Sequence, residues 1–300
     1  MDSIKEIKNF ATIDIGSNAV RLLISNIITT NKLETISTKN ALVRVPIRLG
    51  QDAFTIGRIS NENIERLIDA MISFKLLMKV HKVEKYLAYG TSALRCSSNG
   101  DNIIDLILSK SGLNIEIIDG KKEAELITNN PIFKAKNNTK TYCFIDVGGG
   151  STELTLFKNR KVIKSKSFEI GGVRLINDLV LKETWDVFKE WIVENLNSHK
   201  DIEVIGLGGN INKLFKLSGN KIGKSFSIEN INSTLSLLEE MSYSDKVLLL
   251  KLNPDRVDVI VPAGKIYQFL LNNMKSESIR VPKIGLADGM IYELLKKSQV

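Results

Sequence analysis

The sequence is poor in the residues that staple a fold or ligate a metal by themselves. It holds two cysteines, Cys96 and Cys143, and two histidines, His81 and His199. Two isolated cysteines make no disulfide framework, which fits a reducing compartment, so a cytoplasmic location is expected. Two histidines and two cysteines, far apart in sequence, compose no zinc site. Neither histidine lies near a glycine- or hydroxyl-rich motif, which removes a Ser/His/Asp arrangement. No apolar run approaches the length of a membrane span, so no membrane partner is expected. The opening MDSIKEIKNF lacks an apolar leader core, so no signal peptide is expected. Acidic side chains are outnumbered, 34 against 42 basic, for a net charge of +8. Such a surface attracts polyanions. Most of the excess is scattered lysine and reads as a solubilising surface. With no groove-reading motif, no nucleic-acid partner is expected.

What is present is an internal repeat. Residues 10–26 read FATIDIGSNAVRLLISN and residues 141–157 read TYCFIDVGGGSTELTLF. Each is an apolar strand, an aspartate, a Gly/Ser/Asn turn and a second apolar strand. Each has the pattern of a β-hairpin whose turn admits close backbone approach. Ile13 and Ile145 are 132 positions apart, so each half of the chain opens with the same hairpin. Further strands are expected at 33–38, 43–49, 85–89 and 114–118 in the first half. Helices are expected after Ser60, from Asp101 to a stop at Gly112, and from about Lys121. In the second half, strands are expected at 141–147, 152–157, 161–168, 203–206 and 279–284. Helices are expected at 173–181, 183–196, widely over 228–272, and after Leu286. Residues 254–272 read as one long helix whose apolar stripe is either core or a homodimer face. The polar stretch 134–140 reads as a connector. Strands alternating with helices argue for an α/β fold.

The chemistry lies in the turns. Successive backbone N–H groups of a glycine turn form a nest for phosphate oxygens. That assigns phosphate contact to Gly16, Ser17 and Asn18 in the first hairpin. In the second it assigns Gly148, Gly149, Gly150, Ser151 and Thr152. Asp14 and Asp146, at strand ends, are placed to hold Mg²⁺ directly or through water. A third glycine turn, Gly208 and Gly209 before Asn210, stands between a strand and a helix; alone it reads as a plain turn, and after two phosphate hairpins it is expected to be a third phosphate-binding wall of the site. Three arginines lie beside these motifs or a hydroxyl cluster: Arg21, Arg95 and Arg174. The planar fork of arginine suits phosphate, although Arg21 and Arg174 serve equally well as structural ion-pair partners.

The segments IDIGSNAVRLLI, GTSALR, DGKKEAELI, DVGGGSTEL, GGVRL, GLGGNINKL and LADGM run over almost the whole chain. In their order and spacing they resemble the exopolyphosphatase and pppGpp phosphohydrolase family. The resemblance implies the actin/sugar-kinase/Hsp70 fold, two RNase H-like domains with the site in a cleft between them. The domains are then 1–127 plus 286–300, and 128–285. It implies Glu123 as the general base that activates water, and Glu153 as a second acidic residue that holds metal or positions water. Thr91, Ser92 and Arg95 follow as further phosphate contacts. The expected cofactor is Mg²⁺, alone or with a monovalent cation such as K⁺. Relatives often carry two glutamates before the alanine of KKEAEL. Here the first is Lys122, which leaves Glu125 as a rival base.

The implied reaction is hydrolysis of the terminal phosphate of inorganic polyphosphate. Removal of the terminal phosphate of pppGpp is the alternative, and the motifs do not separate the two substrates. The chain ends just after its closing helix, which reads as the short form of the family. A same-fold kinase would need an adenosine pocket, and the GTSALR loop argues against it. An inactive polyphosphate sensor would not need Asp14, Glu123, Asp146 and Glu153 together.

Overall fold

The computed structural model describes residues 3–298 apart from 33, 129, 131–139, 160, 200 and 222. The connector expected at 134–140 lies outside the described residues except for Lys140, as does the first residue of the strand expected at 33–38. The chain forms two compact units, Met1–Asp119 with Leu286–Val300, and Gly120–Gly285.

In the first unit, β1 (Ile4–Ile15), β2 (Val20–Thr30) and β3 (Thr35–Val45) form an antiparallel meander. After α1 (Leu49–Thr55) and α2 (Asn61–Val80), β4 (Val83–Gly90) returns parallel to β1. Then come α3 (Ser92–Cys96), α4 (Gly100–Ser111) and the short β5 (Glu116–Ile117). The sheet order is β3-β2-β1-β4-β5. The C-terminal half of β1 is covered on both sides, so it reads as a continuous apolar run rather than an alternation. Ala11, Ile13 and Ile15 face Leu67, Met71 and Phe74 of α2 and Ile103 and Ile107 of α4. Phe10, Leu23 and Ile27 face Ala287, Ile291 and Leu294 of the last helix, Leu286–Ser298.

Two expectations change here. The second strand expected at 43–49 is the end of β3 followed by α1, because the chain turns through left-handed Arg48 (φ 62°) into the helix. The cap of α4 is Asn99 rather than Asp101, and it makes no capping side-chain bond. The Asn99 amide instead brackets the backbone of Ile59, accepting its N–H at 3.0 Å and donating to its carbonyl at 2.8 Å.

The second unit begins with α5 (Gly120–Thr128), then β6 (Thr141–Val147), β7 (Thr152–Lys158) and β8 (Lys161–Phe168). There follow α6 (Gly172–Ile176), α7 (Lys182–Leu196), β9 (Ile202–Leu207), α8 (Gly208–Leu217) and β10 (Ser225–Ser227). The unit closes with α9 (Ile228–Glu240), α10 (Tyr243–Leu248), α11 (Pro254–Val257), α12 (Ile260–Met274) and β11 (Ser278–Arg280). Its sheet order, β10-β11-β9-β6-β7-β8, repeats the first unit's meander and parallel additions, with β9 parallel to β6 and β11 parallel to β9, and adds β10 antiparallel at the edge. Each unit therefore has the RNase H-like plan, and the chain has the α/β actin/sugar-kinase/Hsp70-like fold.

The division falls at Asp119/Gly120, with α5 in the second unit. Ile127 of α5 packs with Tyr142, Phe144 and Phe157 of β6 and β7. The long helix expected over 254–272 is two helices, α11 and α12, with a break at 258–259. Its stripe is core: Ile260, Ala263, Tyr267 and Leu271 lie inside the main cluster with Phe188 and Trp191 of α7. The helix expected at 173–181 ends at Ile176.

Candidate active site

The two hairpins match residue for residue. Across β1 and β2, Asp14 pairs with Arg21; across β6 and β7, Asp146 pairs with Glu153. Both turns close with the same bond. Gly16 N–H donates to the Ala19 carbonyl at 3.2 Å, and Gly148 N–H to the Ser151 carbonyl at 2.9 Å. Directly opposed residues of an antiparallel pair share a face. The first unit therefore sets a cation beside its aspartate where the second sets a carboxylate.

The orientation of each turn is enforced from one side. The carbonyls of Gly148 and Gly149 accept from the N–H groups of Gly172 (3.0 Å) and Val173 (2.8 Å) of α6. The Gly150 carbonyl accepts from Arg174 Nε at 2.9 Å. In a trans peptide the N–H points opposite to the preceding carbonyl. The N–H groups of Gly149, Gly150 and Ser151 are thereby turned away from α6, as a phosphate nest requires. A Cβ on Gly171 would meet the Gly149 carbonyl oxygen at 2.4 Å, so this approach needs glycine. The first unit does the same with α1. Gly50 N–H reaches the Ser17 carbonyl at 2.7 Å and Arg48 N–H the Asn18 carbonyl at 3.2 Å.

The acidic groups differ in their partners. Asp14 is almost enclosed, and its Oδ2 receives Arg21 Nη1 at 2.7 Å. Glu153 is buried, and its Oε1 accepts from the hydroxyls of Ser151 (2.5 Å) and Ser167 (2.9 Å). Two hydroxyl donors on one oxygen fix the orientation of that carboxylate. Asp146 lies against Gly208, which takes φ +85°; a Cβ there would fall 2.3 Å from Asp146 Oδ1.

Glu123 sits in the first turn of α5. A Cβ on Gly120 would meet Ser167 Cβ at 2.8 Å and Glu153 Cγ at 3.7 Å. The start of α5 thus rests on the β7–β8 pair that carries Glu153. Glu123, three residues on, shares that side of the helix with Gly120, and Glu125 does not.

Other expected residues have structural partners. Thr152 is fully buried, with its hydroxyl on the Ile170 carbonyl at 2.6 Å, so it offers no donor to a ligand. The Thr91 hydroxyl donates to the Ile15 carbonyl at 3.2 Å, joining β4's end to the first hairpin. Arg95 donates to the Ile118 carbonyl. Ser92 is buried at the start of α3. Arg174 braces the Gly150 carbonyl and faces Glu169 at 3.6 Å, a supporting role. The Gly209 carbonyl accepts from Arg256 Nη1 at 3.1 Å.

Residues that sequence reasoning left unassigned are Gly171, Ser167 and Tyr267. Gly171 stood in the GGVRL segment, and its doublet was the available signal. Ser167 and Tyr267 carry no local signal.

Among the described residues no three His, Cys, Asp or Glu side chains gather as a metal cluster. That donor set still fits Mg²⁺, which is held by one or two carboxylates together with substrate phosphates and water. Asp146 and Glu153 are the opposed pair that can serve. The Asp14 carboxylate is already engaged by Arg21. No helix among the described residues is long and apolar enough to cross a membrane.

The two units thus carry the same hairpin at corresponding places, and the second sets its glycine turn next to an opposed pair of acidic residues. The sequence matches the Ppx/GppA phosphatase family over residues 28–298, and the chain belongs to that family. It is 28% identical over 309 residues to the bifunctional 3-dehydroquinate synthase/phosphatase of Fusobacterium nucleatum, covering 94% of this chain and 46% of that protein. It is 31% identical over 173 residues to exopolyphosphatase 2 of Mycobacterium tuberculosis, covering 55% of this chain and 53% of that one. The matches thus span about half the length of these curated relatives. An exopolyphosphatase structure from Cytophaga hutchinsonii superposes with a TM-score of 0.83 at 24% identity, over 97% of this chain and 98% of that one. The two share a fold.

Proposed function

We propose that this chain is a Mg²⁺-dependent exopolyphosphatase, which hydrolyses the terminal phosphoanhydride bond of inorganic polyphosphate. The observation that carries the reading is the second hairpin. A glycine turn, its N–H groups directed away from α6, stands over the opposed carboxylates of Asp146 and Glu153, with the helix of Glu123 resting on Glu153. The exopolyphosphatase named among the relatives supports the substrate class.

In this reading the N–H groups of Gly149, Gly150 and Ser151 hold phosphate oxygens, and those of Asn18 and Ala19 do the same in the first unit. Arg21 contributes positive charge beside Asp14. Asp146 and Glu153 hold Mg²⁺, which supplies charge neutralisation at the phosphate oxygens when bound. Glu123 accepts a proton from water. The water oxygen bonds to the terminal phosphorus as the bridging P–O bond breaks, releasing orthophosphate and a chain one unit shorter. Phosphoryl transfer depends on positioning and charge stabilisation more than on covalent help, which fits a site built from backbone donors and fixed carboxylates.

The test is Mg²⁺-dependent phosphate release from short polyphosphate, long polyphosphate, pppGpp and ATP. Wild type, Glu123→Ala and Glu125→Gln are assayed side by side. Loss of about 10²–10⁴-fold in Glu123→Ala, with Glu125→Gln near wild type, supports the assignment of the base. Release from pppGpp alone keeps the chemistry and moves the substrate to guanosine polyphosphate. No release from any substrate sinks the hydrolase reading.

A further inference from the structure

Tyr267 is fully buried at the centre of α12. Its ring belongs to the apolar core of the second unit, yet its hydroxyl meets two backbone groups. It donates to the Leu207 carbonyl at 2.9 Å and accepts from the Val147 N–H at 3.3 Å. Those groups belong to the last residues of β9 and β6, adjacent parallel strands in register at Asp146 and Leu207. One residue further on, β6 becomes the glycine turn at Gly148, and β9 becomes Gly208, which abuts the Asp146 carboxylate.

Val147 is held on its other side as well, since Asn210 Nδ2 of α8 donates to its carbonyl at 3.2 Å. The residue joining Asp146 to the glycine nest is therefore clamped at both backbone groups, by side chains from two different helices. Burial, followed by the nearby charges of Asp146 and Glu153, pushes the Tyr267 hydroxyl well above its ordinary range.

We infer that Tyr267 is a positioning residue: its hydroxyl fixes the spacing between the ends of β6 and β9, and so the attitude of Asp146 and the nest toward a phosphate-bound divalent cation. The inference rests on the proposed roles of Asp146 and the nest, and extends them to a residue with no route to the substrate. A buried hydroxyl that merely filled the core would leave cation binding unchanged when removed.

The experiment uses the full chain with Tyr267→Phe, which keeps the ring and deletes the bridge. Two readouts do not depend on turnover. One is amide hydrogen exchange over 147–151. The other is Mn²⁺ binding in the presence of imidodiphosphate, whose P–N–P bridge resists the hydrolysis, followed by electron paramagnetic resonance. The expected result is faster exchange confined to that turn and Mn²⁺ affinity weakened about tenfold, with the cooperative fold retained.

Unchanged exchange at the turn, or unchanged Mn²⁺ affinity, overturns the inference. If Tyr267→Phe does not fold, Asn210→Ala carries the test, because it frees the other side of the same residue. Unchanged Mn²⁺ affinity in that variant overturns the clamp. A wild type that binds Mn²⁺ and releases no phosphate sinks the hydrolase reading and leaves this inference standing. A hydrolase whose Tyr267→Phe variant binds Mn²⁺ as wild type does sinks the inference alone.

Discussion

Replacing Gly120 by alanine adds one methyl group at the start of α5, and the structure says where it goes. It would sit 2.8 Å from Ser167 Cβ and 3.2 Å from Ser167 Oγ. The near atom is a Cβ held by strand β8, not the end of a flexible chain, so the helix has to move. Overpacking of this kind costs about 1–3 kcal/mol. Alanine's better helix propensity returns at most about 1 kcal/mol, and less at a helix terminus. A net loss of about 1–2 kcal/mol corresponds to a fall in Tm of about 2–8 °C for a unit of this size.

The effect on activity is larger than the effect on stability, because Glu123 rides on the displaced turn. A misplacement approaching 1 Å at a reacting group can cost about 100-fold. Thermal unfolding and phosphate release at 25 °C, where the variant is still folded, separate the two effects. Ser167→Gly in the same chain removes the obstructing Cβ but recovers only part of the Tm, because it also withdraws a hydroxyl from buried Glu153 and places glycine in a strand. It does not restore activity, since the hydroxyl on Glu153 goes with it. A Gly120→Ala protein with wild-type Tm and wild-type turnover would refute both the close contact and its bearing on Glu123.

Gly208→Ala forces a side chain into a left-handed backbone at about 1–2 kcal/mol. It also collides with Asp146 Oδ1, so Mn²⁺ binding, measured by titration, is abolished while the fold persists. Arg21→Ala leaves the enclosed Asp14 carboxylate without its partner, and urea unfolding should show a loss of about 1–3 kcal/mol. Burial pushes the Cys143 thiol up to about 12. Iodoacetamide at mildly alkaline pH should therefore label exposed Cys96 and spare Cys143, as read by mass spectrometry. Because the folded value is raised, that contribution to stability is intact below about pH 9. It is lost at about 1.4 kcal/mol per pH unit toward 12, a slope that Cys143→Ala should remove from alkaline unfolding curves.

Local pattern sufficed wherever neighbours in sequence are neighbours in space. The hairpins at Asp14 and Asp146 were legible because strand, turn and strand are contiguous, and three consecutive glycines have few other uses. The Ser60 cap and the Gly112 stop followed from the same kind of local chemistry. Family resemblance, rather than spacing, raised Glu123 above Glu125.

What escaped depended on long-range contact. The short α1 carries too few residues for a helical period. It is a helix because the N–H groups of Arg48 and Gly50 find the carbonyls of the first hairpin turn. Thr152 reads as a phosphate donor in its motif, but the Ile170 carbonyl, 18 residues on, takes its hydroxyl. For Arg174 the sequence left phosphate contact and structural ion pairing open, and long-range contact sets it against the Gly150 carbonyl and Glu169. Tyr267 looks like one more apolar contact on a core helix, yet its hydroxyl spans two strand ends more than 50 residues away in sequence. The sequence by itself determined the repeated hairpin, the α/β class and the inventory of acids and glycines, since these are set by local propensity and short-range pattern. Only the tertiary structure decided which of those groups face a ligand and which are consumed as scaffold, because a hydrogen-bond donor has no assigned partner until the chain brings one to it.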